Sequence, residues 1–428
     1  MSMLILFVVF LFFSALGVPI YAGLGISSIL YLTFTDPGLI TMIPQRIWAG
    51  VNTYILIALP LFILAGELMN TGGITKRVVD FSLQLVRPFR GGLGEVTVVA
   101  SMIMAGVSGS SVADTSAIGS VMIPAMEKKG FEKKFATALV ALASTMGMII
   151  PPSIPMVTYS MISGVSIGSL FLAGVVPGFL IGLFQLIVVR FYKRKFGIHL
   201  LEKESRGQIV GRKEIMEGIL AFIMPLFIVG SISFGIATAS ESAGIAVLYA
   251  FIVGFFIFKE LKLKDLLISL KRTAISTASI MVIIGFSMTF GWIIAMERVP
   301  NNIGSFLLSI NIDKFWILLF LDIFILFLGT FLDVTPILIL TTPIMLPILQ
   351  PFGINPLHFG AILVIGTAIG LVTPPLGMCL NAANKISKVG IMEMFKTALP
   401  LLACDLIVLI LVTFVPEVSL FIPGLFMK

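Results

Sequence analysis

Apolar residues in this chain fall into long continuous blocks, with charged residues gathered between them. The blocks cover roughly 3–34, 46–70, 92–126, 135–162, 167–190, 215–238, 242–258, 273–296, 315–350, 355–384 and 398–424. A helix needs about 20 apolar residues to cross a bilayer, and the blocks have that scale. They predict an all-α, polytopic membrane protein. The first block could pass for a signal peptide, but it lacks a basic leader and stays apolar past Pro19 to Tyr31. It therefore reads as a retained first span. The stretches 259–271 and 385–396 alternate basic and apolar residues and predict interfacial helices or arms.

Composition agrees. Hydrophobic residues make up 58% of the chain and charged residues 11%, with mean hydropathy +1.13; soluble domains average about 25% charged. The net charge of +7 is accounted for by loops, chiefly 190–213. It fits contact with anionic membrane lipids and not nucleic acid. Cys379 and Cys404 both fall in apolar blocks and read as packing residues, not a disulfide.

Basic residues set the topology. If 92–126 and 315–350 are re-entrant hairpins that return to the side they left, then of the 28 Lys and Arg only Arg46, Arg298, Lys314 and Lys428 fall on the outer face. Single crossings give a weaker bias, so the positive-inside rule favours hairpins. Lys76, Arg77, Arg87 and Arg90 before the first hairpin, and Lys128, Lys129, Lys133 and Lys134 after it, carry much of this signal. The N-terminus is then cytoplasmic and the C-terminus periplasmic. Two inverted-topology repeats follow, 1–195 and 241–428, joined by a loop and helix over 196–240. Each reads span, span, hairpin, broken span, span.

The chemistry lies where the two repeats echo each other. One copy reads Gly109-Ser-Ser-Val-Ala-Asp114, then Pro124, then Pro151-Pro152. The other, about 220 residues on, reads Gly329-Thr-Phe-Leu-Asp333, then Pro343, then Pro374-Pro375. A carboxylate at membrane depth costs about 2.5–3.5 kcal/mol on insertion scales. Matched interruptions in two halves point to a secondary transporter's binding site. The tips, Ser108-Gly109-Ser110-Ser111 and Gly329-Thr330, offer hydroxyls and free carbonyls. Helices are predicted to start near Asp114 and at Thr335-Pro336, with Thr335 as N-cap. Their N-termini suit an anionic substrate, placing Ser110, Ser111, Asp114, Asp333 and Thr335 in its path. A Pro pair breaks each following span and frees carbonyls. One Na⁺ site is therefore expected between Ser108, Gly109, Asp114 and Gly147–Pro151. A second is expected between Gly329, Thr330, Asp333 and Gly370–Pro374, Thr373 included. The alternative is that both Asp residues only cap helices and the Pro pairs only kink.

Other polar residues leave choices open. Glu241 could cap the next helix or reach the substrate. Arg298 could pair a substrate carboxylate, pair Glu297, or stay exposed. Asp322 and Asp405 lie in or near apolar runs with no evident role. Gly106-Val-Ser108-Gly109 matches an intramembrane serine protease motif, but His199 and His358 are badly placed to face Ser108. No phosphate loop exists for ATP hydrolysis. Another inverted-repeat anion carrier, running on Na⁺ or H⁺ without a binding protein, is the competing transport reading.

The chain resembles the large membrane subunit of the tripartite ATP-independent periplasmic (TRAP) transporters. The matching stretches are Leu59–Met69, Gly106–Asp114, Ile149–Ser153, Gly235–Ala243, Leu332–Ile337 and Gly370–Gly377. One departure is mild: Ala239-Ser-Glu241-Ser242 stands where the family carries Pro-Thr-Glu-Ala. The resemblance implies an elevator-type, Na⁺-coupled importer of an acidic organic solute in the bacterial inner membrane. It implies a small four-helix membrane subunit, here a separate protein, and a periplasmic substrate-binding protein. C4-dicarboxylates, sialic acids and other sugar acids are the substrates it suggests.

Overall fold

A computed structural model describes residues 2–86, 92–195 and 212–427. Among them are twenty α-helices and no strand. Arg87, Arg90, His199 and most of the 190–213 loop, all used in the sequence reading, lie outside the described residues.

The first apolar block is not one span. It forms α1 (Ser2–Ala15) and α2 (Ile20–Thr35), which pack along each other. Gly17 takes a left-handed φ of 77° and Pro19 cannot continue the hydrogen-bond ladder. The chain folds back, and Leu6 meets Leu24, Tyr31 and Leu32 in one buried cluster. The cytoplasmic N-terminus inferred from a single first crossing thereby loses its basis. The second block also divides, into α3 (Met42–Val51) and α4 (Ala58–Thr71), around Asn52-Thr53.

A helix absent from the expected spans follows, α5 (Ile74–Val86). It is amphipathic: Ile74, Val78, Ser82 and Val86 are buried at four-residue spacing while Lys76 and Asp80 face outward. The first hairpin is α6 (Leu93–Ser108) and α7 (Ser111–Lys128). The first broken span is α8 (Lys133–Ala143), a 3₁₀ turn over Ser144–Met148, the Pro pair, and α9 (Ile154–Ser163). Then come α10 (Ile167–Lys195), the connector α11 (Arg212–Ser233) and α12 (Ala239–Ile252).

The expected interfacial stretch 259–271 is not separate. From Leu263 it is the start of α13 (Leu263–Met296). At 1.5 Å per residue its 34 residues reach about 51 Å, longer than the ~30 Å hydrocarbon core. After α14 (Val299–Ser309), the second hairpin is α15 (Lys314–Phe331) and α16 (Val334–Leu349). The second broken span is α17 (Pro356–Gly370) and α18 (Met378–Ser387). The stretch 385–396 is divided between the end of α18 and the start of α19 (Ile391–Phe414), so it too is not a separate element. The last block ends as a distinct α20 (Glu417–Phe426), because Pro416 interrupts it.

Eight helical stretches among the described residues are long and apolar enough to cross a membrane: Tyr54–Thr71, α10, α11, α12 with its terminal π-turn, α13, the two arms of the second hairpin, and α19. The broken spans form the centre of the molecule. Every residue from Phe135 to Ile149 and from His358 to Val372 is buried. Around them the packing is reciprocal. The outgoing arms α6 and α15 pack on the first parts of their own broken spans, α8 and α17. The returning arms touch both broken spans: α7 packs on its own α8 and on α18, and α16 packs on its own α17 and on α9.

Candidate functional site

Both hairpin tips end against a broken span at its interruption. At the first tip Gly109 adopts φ 63°, a conformation that costs a side-chain-bearing residue. Its carbonyl accepts from Ile154 N–H at 3.4 Å, just beyond the Pro pair. Ser110 N–H donates to Ser108 Oγ at 3.1 Å. Ser111 Oγ donates to the Thr145 carbonyl at 3.2 Å. Gly147 makes this approach possible, since a Cβ there would sit 3.1 Å from Ser110 C and Ser111 N and would strike the Asp114 carboxylate.

Asp114 is not a cap. The N-cap of α7 is Ser110, and Asp114 lies one turn inside the helix. It is fully buried, and neither carboxylate oxygen has a hydrogen-bond partner. Ser108 is the one side chain near enough to hydrogen-bond it, but the Ser108 hydroxyl is instead engaged with Ser110. A buried carboxylate left so is costly unless a cation or proton meets it. The oxygens around it, hydroxyls and carbonyls of the tip and break, are the ligands a hard monovalent cation takes.

The second tip uses the same device with different details. Gly329 and Gly370 touch backbone to backbone; a Cβ on Gly329 would lie 2.9 Å from Gly370 Cα. Leu376 N–H donates to the Thr330 carbonyl at 3.2 Å. The helix cap is Asp333, not Thr335: α16 begins at Val334, whose N–H donates to Asp333 Oδ1 at 2.8 Å. Asp333 is exposed, unlike Asp114. The Thr330 and Thr373 hydroxyls are spent on their own helices, bonding Phe327 O at 2.8 Å and Ile369 O at 3.0 Å. Both Pro pairs, Pro151-Pro152 and Pro374-Pro375, are cis.

Two residues of the sequence reading fall outside these assemblies. Glu241 closes a capping box on α12, its Oε2 accepting from Thr238 N–H and Oγ1 at 2.8 Å each. Arg298 is exposed with a left-handed φ of 53° at the start of α14; its neighbour Glu297 instead accepts from Tyr31 Oη at 2.6 Å. One residue was missed. Buried Cys379, at the start of α18, lies beside Thr115 of α7, where α18 packs on the returning arm of the first hairpin. Its position four residues after Pro375 was the only available signal. A narrow crevice opens at the first tip, lined by Phe62, Ser108, Gly109, Pro152 and Met224 among others.

Residues 7–418 match the family described as the tripartite ATP-independent periplasmic transporter, DctM component. The chain belongs to the DctM family. It is 34% identical over 96% of both chains to the sialic acid TRAP transporter large permease protein SiaM of Vibrio cholerae. It is 34% identical to the C4-dicarboxylate large permease DctM of Rhodobacter capsulatus, over 99% of both chains. It is 35% identical to the isethionate permease DctMQ of Oleidesulfovibrio alaskensis, covering 98% of this chain and 66% of that one. The fold matches the YdaH transporter of Alcanivorax borkumensis at TM-score 0.68 and 14% identity, over 96% of this chain and 98% of that one. The chain is thus a TRAP large permease, a secondary transporter and not an enzyme.

Proposed function

We propose that this permease imports an acidic organic solute across the bacterial inner membrane, driven by Na⁺ and moved by an elevator mechanism. The observation that carries the reading is Asp114: fully buried, both oxygens without a hydrogen-bond partner, and seated where the first tip meets Gly147 of its break. Na⁺ is held at Asp114 with Ser108, Gly109, Gly147 and Pro151. A second Na⁺ is held near Asp333 with Gly329, Thr330, Gly370 and Thr373. The solute binds between the tips, where Ser110, Ser111 and Thr335 meet the helix N-termini. The names of the relatives support a sialic acid, a C4-dicarboxylate or a related organic acid.

The two halves, 1–195 and 241–428, act as inverted repeats. The crossed packing of α7 on α18 and of α16 on α9 is the pattern such a pair requires. The hairpins and broken spans form the moving body, and α2, α3, α4, α12 and α13, which pack on one another, form the frame. A small membrane subunit extends that frame, and a periplasmic binding protein delivers the solute. Because ion and solute each raise the other's affinity by the same factor, Na⁺ binding organises the tips for solute.

Proteoliposomes holding the permease and its small subunit, supplied with loaded binding protein, test this. Uptake of labelled organic acid should follow an imposed Na⁺ gradient and vanish with choline. Equal uptake in both salts contradicts Na⁺ coupling, and uptake independent of the binding protein supports the competing carrier reading.

A further inference from the structure

A second buried carboxylate, outside both tips, remains without a task. Asp405 lies within α19 and is fully buried. Gln185 Nε2 of α10 donates to its Oδ1 at 2.8 Å. Its Oδ2 lies 3.1 Å from Thr145 Oγ1, in the 3₁₀ turn that opens the first break. Thr145 Oγ1 also lies 2.7 Å from the Leu142 carbonyl, so its single proton serves two acceptors. The carbonyl of the same Thr145 accepts the Ser111 hydroxyl of the first tip. Ser111, Thr145, Gln185 and Asp405 are all 0% exposed. The chain of contacts thus runs from the tip through the break to two surrounding helices.

We propose that Asp405 is a positioning residue that holds the first hairpin tip on its break by fixing Thr145. The physical need is specific. In an uninterrupted helix the ladder aims each carbonyl along the axis. Here the ladder passes into a short 3₁₀ turn over Ser144–Met148 that ends at a Pro pair, so the Thr145 carbonyl is held only by the poorer geometry of that turn. Pinning the Thr145 side chain to Asp405 of α19 braces the turn, and Ser111 then finds its acceptor. In low dielectric such a fully buried network is rigid when satisfied. The second hairpin has a different anchor on the same helix: Thr413 Oγ1 of α19 donates to Asp322 Oδ1 of α15 at 3.0 Å. That bond holds an arm, not a tip. The consequence for transport rests on the tip being where ion and solute bind, as proposed above; the positioning itself does not.

Hydrogen exchange read by mass spectrometry separates the two. In choline chloride, Asp405→Ala should speed exchange of peptides spanning 108–116 and 144–149 by roughly fivefold to tenfold, the factor carried by one net hydrogen bond. Peptides spanning 329–335 should not change. Thr145→Val should do the same while keeping the carbonyl and the shape, and it carries the test if Asp405→Ala does not fold. Asp405→Asn should restore near wild-type exchange. Its amide oxygen can still accept from Thr145, and its amide nitrogen can donate to Gln185 Oε1, now without a partner, once that side chain turns over. Equal acceleration at both tips, or none at the first, overturns the proposal. A parallel arm in NaCl reads wild-type protection of 108–116: its absence speaks against the Na⁺ reading and leaves the choline result to decide the positioning.

Discussion

Replacing Gly370 by Ala adds one methyl group where two backbones meet. Gly370 is buried at the end of α17, and its Cβ would fall on the Cα, C and O of Gly329 in the second tip. The reverse substitution is equally crowded, with 2.9 Å to Gly370 Cα. Backbone cannot swing aside as a flexible side chain can, so the tip must lift. Overpacking of this kind costs about 1–3 kcal/mol, and lifting also strains the Leu376 N–H bond to Thr330, worth roughly 1 kcal/mol. A loss of about 2–4 kcal/mol is expected. The control is Gly244→Ala in α12, where a Cβ would meet nothing within 4 Å; there Ala should gain up to about 1 kcal/mol in helix propensity. Thermal unfolding of the purified variants, with Na⁺-driven uptake alongside, reads the contrast. Gly370→Ala that is as stable as Gly244→Ala and still transports would refute the tight seating of the second tip on its break.

Arg77 ties α5 to α11 and to the loop before α13, through Glu217 at 2.8 Å, Glu260 at 2.8 Å and the Phe258 ring at 3.7 Å. Arg77→Ala should lower stability by about 2 kcal/mol, discounted from a fully buried network because Glu260 is partly exposed, and Arg77→Lys should recover less than half, since it loses the fork and the stacking; unfolding curves of the three proteins decide. Tyr31→Phe removes the 2.6 Å bond to Glu297 that joins α2 to α13 and should cost about 1–2 kcal/mol without altering the sodium response of unfolding. Glu241→Ala should weaken the start of α12 slightly and leave solute affinity unchanged in uptake assays; a large rise in KM would instead bring Glu241 into the solute path.

Much of the site was legible because membranes make certain residues expensive. Asp114 and Asp333 stood out as carboxylates in apolar blocks, and the Pro pairs could not sit in unbroken helices. Those constraints placed both hairpins within a few residues and paired each tip with the correct break. The cap at the second tip was misjudged, since Thr335-Pro336 and Asp333 both satisfy N-cap chemistry and only the backbone at Val334 distinguishes them. The first block was misread because hydropathy does not register a reversal at Gly17-Val18-Pro19 when both flanks are apolar. Asp405 carried no local signal. Its partners Thr145 and Gln185 lie 260 and 220 residues away, and only the packing of α19 against α8 and α10 brings them together.

The central claim is that the first tip holds Na⁺ at Asp114, with a partner site at Asp333. Thermal unfolding in NaCl against choline chloride, for wild type, Asp114→Asn and Asp333→Asn, addresses it most directly. Binding to the folded state alone adds about 2.7 kcal/mol when ligand exceeds Kd a hundredfold. The account predicts a Na⁺-specific rise in the wild-type midpoint that shrinks in both variants, more in Asp114→Asn, whose carboxylate has no other partner. A wild-type midpoint indifferent to the cation, or a rise that survives both substitutions, would contradict it.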